Sequence, residues 1–151
     1  MDRPGVYEGP LGTGLGELLS LAGGKAGDVA AVQIGGGSGS IIGELPADLS
    51  MEPKSCMEYG VSLGTGSLRF IGKNENIRGY VTALVKFYSK ESCGVCVPCR
   101  SGLALLATML EDEESDDGQI ISLAEHIRST ARCGLGQAAV TPVLSYLKGG
   151  L

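Results

Sequence analysis

Along this chain the spacing of the apolar positions changes near residue 79. Before it, apolar residues come in short runs broken by glycine. Val29 to Ile34 is almost continuously apolar and closes on Gly35-Gly36-Gly37, the pattern of a buried strand. Ile41-Ile42 and Leu68-Arg69-Phe70-Ile71 predict further short strands, as does Val6-Tyr7-Glu8. Leu15, Leu18 and Leu19 recur at helical spacing after a Gly-rich start. From about Gly79 the helical period takes over. Val81, Leu84, Val85 and Tyr88 form one stripe, and Leu103, Leu106 and Leu110 a second. Ile120, Leu123, Ala124, Ile127 and Ala131 form a third; Val140, Val143, Leu144, Leu147 and Leu151 form a fourth. Thr141-Pro142 suits the start of the last helix, because proline is tolerated in a first turn. Four stripes with short connections pack most simply as a helical bundle. The expected class is α+β: a small mixed unit over residues 1–72, then a four-helix unit over residues 73–151.

Composition narrows the function classes. The 25 glycines fall mostly in the first half, which places loops and turns there. Aromatics are 5% and Trp is absent, so aliphatic side chains must fill the core. The net charge of −5 and the scattered basic residues argue against nucleic acid as the main partner. No apolar run is long enough for a membrane span, and the N-terminus lacks an apolar signal segment, so a reducing cytoplasm is the expected compartment. The acidic run Glu111 to Asp117 reads as a solvated loop whose acids favour the start of the next helix. A docking patch for a basic partner is the lesser reading.

In a reducing compartment, clustered cysteines point to metal or redox chemistry rather than disulfides. Glu91-Ser92-Cys93-Gly94-Val95-Cys96-Val97-Pro98-Cys99-Arg100 contains Cys-x2-Cys-x2-Cys between the first two stripes. Two-residue spacers let three thiolates turn toward one centre. A cubane cluster asks for that and for one more thiolate, since each iron takes one. Cys133, between the third and fourth stripes, supplies it. Two helices separate the two cysteine sites, which brings both to the same end of a bundle. There is no second cysteine run, so a single [4Fe–4S] cluster is expected. Zinc is the rival metal, but zinc sites usually pair cysteines two and two. Gly94, Gly134 and Gly136 would let backbone N–H groups approach sulfur, and Arg100 could add positive charge; as turn residues and a solvated side chain they need neither role. Cys56 stands apart and reads as a small buried hydrophobe. His126 lies beside the third stripe and reads as solvated. Gly12-Thr13-Gly14-Leu15-Gly16 and Gly35-Gly36-Gly37-Ser38-Gly39 lack the full dinucleotide or Walker pattern and read as tight turns.

The stretch Glu91 to Arg100, followed by Cys133-Gly134-Leu135-Gly136-Gln137-Ala138-Ala139, resembles the flavin-bearing NADH-oxidising subunit of respiratory complex I. Diaphorase subunits of NAD-linked hydrogenases and formate dehydrogenases share the resemblance. Arg3-Pro4-Gly5-Val6-Tyr7-Glu8 and Pro10-Leu11-Gly12 resemble the start of that family's ubiquitin-like β-grasp (SLBB-type) domain, and Gly36-Gly37-Ser38-Gly39 resembles an element of its hydrogenase-type members. The resemblance implies a β-grasp unit over 1–72 and an iron–sulfur unit over 73–151. It implies an electron-transfer component of an NADH-linked oxidoreductase that is not active alone. Its partners would be a flavin-bearing NADH-oxidising domain or subunit and other iron–sulfur subunits. The family's long FMN- and NADH-binding domain has no counterpart in these residues, so both ligands are expected on a partner or missing domain. By resemblance, Gly134 and Leu135 would face that flavin. A zinc-stabilised interaction module without redox role is the alternative.

Overall fold

The computed structural model describes residues 1–149 and 151. It is α+β and divides into two compact units, Met1–Glu75 and Asn76–Leu151.

The first unit is built on a three-stranded antiparallel sheet in the order β2-β1-β3. β1 (Val29–Ile34) is central, and Ala31 to Ile34 are all buried, as its nearly unbroken apolar run requires. It forms a hairpin with β2 (Ser40–Gly43), pairing Val32 with Ile42 and Ile34 with Ser40. On its other edge it pairs with β3 (Leu68–Gly72), Val32 opposite Phe70, with a bulge between Val29 and Ala31. The single polar residue of the run, Gln33, stays inside because its Nε2 donates to the carbonyls of Gly37 and Gly39, both at 3.3 Å. A short helix α1 (Leu15–Leu21) and a second, α2 (Pro53–Glu58), complete the unit. Leu15, Val32, Ile34, Leu49, Cys56 and Val61 form its buried cluster. Cys56 is there as a small hydrophobe, its Sγ 3.7 Å from the Ser50 carbonyl.

One expected strand is absent. Val6-Tyr7-Glu8 runs outside the sheet, with Val6 fully exposed. The segment is three residues long between Pro4 and Pro10, and a proline has no N–H to offer a ladder. The loop Gly35–Gly39 leads straight back into β2, so no helix follows it as a dinucleotide fold requires.

The second unit contains the four expected helices and a short fifth one before the last. α3 (Ile77–Lys90) starts four residues before the first stripe position, Val81, because Asn76 caps it, accepting the Gly79 N–H at 2.8 Å. α4 is Leu103–Glu111 and α5 is Asp117–Thr130. Asp116 caps α5 by accepting the Gln119 N–H at 2.9 Å, which gives the acidic loop a local structural use. After a short α6 (Gly134–Ala139), α7 (Thr141–Lys148) carries Pro142 in its first turn. α3 lies against α4, and α5 against α4, α6 and α7. Val81, Val85, Leu103, Leu106, Ile120, Ala124, Ile127, Val140 and Val143 fill the space between them. Among the described residues, no helix is long and apolar enough to cross a membrane.

Candidate metal centre

The three-cysteine loop leaves α3 after Lys90 and re-enters helix through a π-helical turn at Pro98–Gly102. Such turns widen a helix by one residue and often mark functional sites. The loop is pinned at both ends. Gly94 adopts φ +75°, a left-handed conformation that suits glycine. Its N–H donates to Ser92 Oγ at 3.2 Å, and its carbonyl accepts from Arg100 Nη1 at 2.8 Å. Arg100 therefore holds the loop's shape.

The other cysteine stands at the start of α6. Cys133 has extended backbone dihedrals at the N-cap of that helix, and its side chain is exposed. Two contacts show that its loop and the three-cysteine loop meet. The backbone N–H of Arg132 points at Cys96 Sγ and, with the N–H of Cys99 and the Arg132 charge, holds the Cys96 thiol below the usual range. The buried Gly136 sits directly on Cys99: a Cβ there would lie 3.3 Å from Cys99 Cβ and 3.5 Å from its Sγ, and 2.7 Å from Ala131 Cβ. Gly136 is thus a spacing residue, small because Ala131 leaves no room for a Cβ and Cys99 lies tight against the same spot. Gln137 secures the same turn by donating from Nε2 to the Ala131 carbonyl at 3.0 Å. Gly134 has open space around it, and Leu135 is half-buried.

The four sulfurs differ in access. Cys93 and Cys133 are exposed, Cys96 is half-buried, and Cys99 is 4% exposed. Among the described residues, no three Cys, His, Asp or Glu side chains are drawn close enough to hold one metal ion. The donor set is all sulfur, one member is already biased toward thiolate, and a glycine clears the space beside another. His126 is exposed on α5 and takes no part.

Residues 79–149 match the family model described as the NADH-ubiquinone oxidoreductase-F iron-sulfur binding region. The match begins inside α3 and runs through the three-cysteine loop and Cys133 past the end of α7. Over nearly its whole length the chain is similar to an NADH-quinone oxidoreductase subunit of Streptomyces coelicolor, with 34% identity over 96% of this chain and 34% of the relative. It is also similar to NAD-reducing hydrogenase HoxS subunit alpha of Cupriavidus necator, with 32% identity over 97% of this chain and 24% of the relative. Among solved structures, an NAD+-reducing [NiFe]-hydrogenase in the H2-reduced state superposes with a TM-score of 0.80, 27% identity, 97% of this chain and 26% of that one. The chain spans about a third of the length of the NADH-quinone oxidoreductase relatives it matches.

Features of the site that were not drawn from sequence include the Ser92 hydroxyl, the Arg132 N–H on Cys96 and the short helix α6. A signal existed for the first. A serine two residues before a glycine commonly accepts that residue's N–H. For α6, six residues of which four are Gly or Ala leave no apolar stripe to find.

Proposed function

We propose that this chain holds one [4Fe–4S] cluster through Cys93, Cys96, Cys99 and Cys133 and serves as a one-electron relay within an NADH-linked oxidoreductase. When bound, the cluster would supply the capacity to take up and release electrons singly. The observation that carries this reading is the meeting of the two cysteine loops, with Arg132 N–H on Cys96 and Gly136 against Cys99. The chain's own residues prepare the site. Backbone N–H groups favour thiolate at Cys96, Arg100 and Ser92 fix the turn between Cys93 and Cys96, and Gly136 lets α6 close over Cys99. In this reading residues 1–72 are an SLBB-type β-grasp unit and residues 73–151 the cluster-bearing unit. FMN and NADH belong to a flavin-bearing partner or domain outside these residues. That flavin would approach near Gly134 and Leu135, and further iron–sulfur subunits would receive the electrons.

The test is anaerobic metal and sulfide analysis with an electron paramagnetic resonance spectrum of the reduced chain. About four irons and four sulfides per chain are expected; stoichiometric zinc without acid-labile sulfide refutes the reading. Cys133→Ala should lose or degrade the cluster, because the three-cysteine loop alone leaves one iron without a thiolate. Cys56→Ala should keep it, at a cost of roughly 1 kcal/mol of stability. The reverse pattern would assign the ligands differently.

A further inference from the structure

We infer that Ser92 is a positioning residue for the cluster: its hydroxyl donates a hydrogen bond to the Cys99 thiolate and raises the reduction potential of the centre. The inference rests on the proposed ligand set and concerns only this chain's side chains. Ser92 Oγ lies 3.2 Å from Cys99 Sγ, across seven residues of sequence. In the free thiol the S–H donates to the oxygen. Once the sulfur is ionised to bind iron, only the hydroxyl has a proton to give, and the bond must run from Ser92 to Cys99.

Three observations make this contact matter more than an ordinary surface hydrogen bond. First, Cys99 is the sulfur that water reaches least, at 4% exposure, whereas Cys93 and Cys133 are exposed. Donors to its charge have to come from the protein. Second, Ser92 Oγ already accepts the Gly94 N–H, at 3.2 Å, which fixes the oxygen and polarises its O–H toward the sulfur. Third, the turn that carries Ser92 is clamped from the far side, where Arg100 Nη1 holds the Gly94 carbonyl at 2.8 Å. The hydroxyl is thus held in place before the cluster arrives. A donor to a ligating sulfur stabilises the more negative, reduced state, and hydrogen bonds to sulfur are among the protein's levers on cluster potential.

The experiment compares the full native chain with Ser92→Ala and Ser92→Thr. Each is loaded anaerobically and titrated potentiometrically while the reduced cluster's resonance signal is followed. Ser92→Ala should take up the same iron and sulfide but reduce less readily, by about tenfold in the reduction equilibrium, which is 59 mV for a one-electron couple. Ser92→Thr keeps the hydroxyl and should titrate close to the native chain. A loaded Ser92→Ala with the native potential overturns the inference, and so does a Ser92→Thr displaced as far as Ser92→Ala. If Ser92→Ala does not load, the melting curve of the cluster-free chain decides. A native melting temperature, with loading restored by Ser92→Thr, supports action on Cys99; a lowered melting temperature makes Ser92 only a brace for the Gly94 turn and overturns the inference. A native chain that binds zinc and no sulfide fails at the cluster itself, an outcome separate from all of these.

Discussion

Single residues at the cysteine loops carry different electrostatic surroundings, and their reactivity should show it. Backbone N–H groups, chiefly that of Arg132, hold the Cys96 thiol below its ordinary range, whereas burial pushes the Cys56 thiol up. The thiolate is the form that attacks an alkylating agent. In the cluster-free chain Cys96 should therefore label at a lower pH than an unperturbed cysteine, and Cys56 should resist until the first unit unfolds. Mass spectrometry after pulses of iodoacetamide across a pH series would read both; Cys56 labelling ahead of Cys96 would contradict them. The sign for stability follows. Folding lowers the Cys96 pKa, so its contribution is present above the unfolded cysteine value and fades as the pH falls through the folded one. The Cys-x2-Cys-x2-Cys run was legible in sequence, because its spacing is a local property. What its sulfurs are hydrogen-bonded to was not. Arg132 reaches Cys96 only because α5 returns the chain to the α3–α4 end, a contact that no window of sequence contains.

Elements were legible where one apolar period ran long enough to be seen. α3, α5 and β1 were read with their main boundaries; α2 and α6, at six residues each, were not. Val6 to Glu8 failed for the opposite reason: its residue types favour a strand, but no neighbour supplies a ladder. Contacts between elements were the least visible. Arg78 shows why. Its residue type says only that it is charged, yet in the fold its guanidinium is 22% exposed and closes the end of α4. Nε donates to the Leu110 carbonyl at 3.0 Å, Nη2 to the Asp112 carbonyl at 3.3 Å and Nη1 to the Asp117 carboxylate at 3.1 Å. One side chain from the start of α3 thus satisfies carbonyls that α4 leaves open and grips the first turn of α5. Arg78→Ala should cost roughly 1–3 kcal/mol, the range for stranding partly buried acceptors. Arg78→Lys should recover only part, since an ammonium cannot span three acceptors in a plane. The exposed pair Lys148–Glu125, at 2.6 Å, should cost about 1 kcal/mol or less when Lys148 becomes Ala. Thermal melts of the three variants check the order, and an Arg78→Ala as mild as Lys148→Ala would contradict it.

At the scale of the whole chain, the cysteine-bearing unit and the sheet unit bear unequally on NADH. The residues that match the iron–sulfur binding region all lie within Asn76–Leu151. The first unit offers Gly35–Gly39 after a strand, the position a dinucleotide loop would take, but the chain there turns back into β2. The pyrophosphate of a dinucleotide is usually met by backbone N–H groups at a helix N-terminus that follows such a loop, and a hairpin presents none. Hydride transfer from NADH moves two electrons at once, whereas an iron–sulfur centre takes one, and a flavin is the usual converter between them. From these two points we expect the isolated chain, with its cluster intact, to remain oxidised when titrated anaerobically with NADH, with or without added FMN. It should become reducible by NADH once a flavin-bearing, NADH-oxidising partner is supplied. The two arms separate the reasons for failure. No reduction in either arm would remove the NADH-linked relay while leaving the cluster in place. Rapid reduction of the isolated chain would mean that the Gly35–Gly39 hairpin, or another part of the first unit, binds the nucleotide after all.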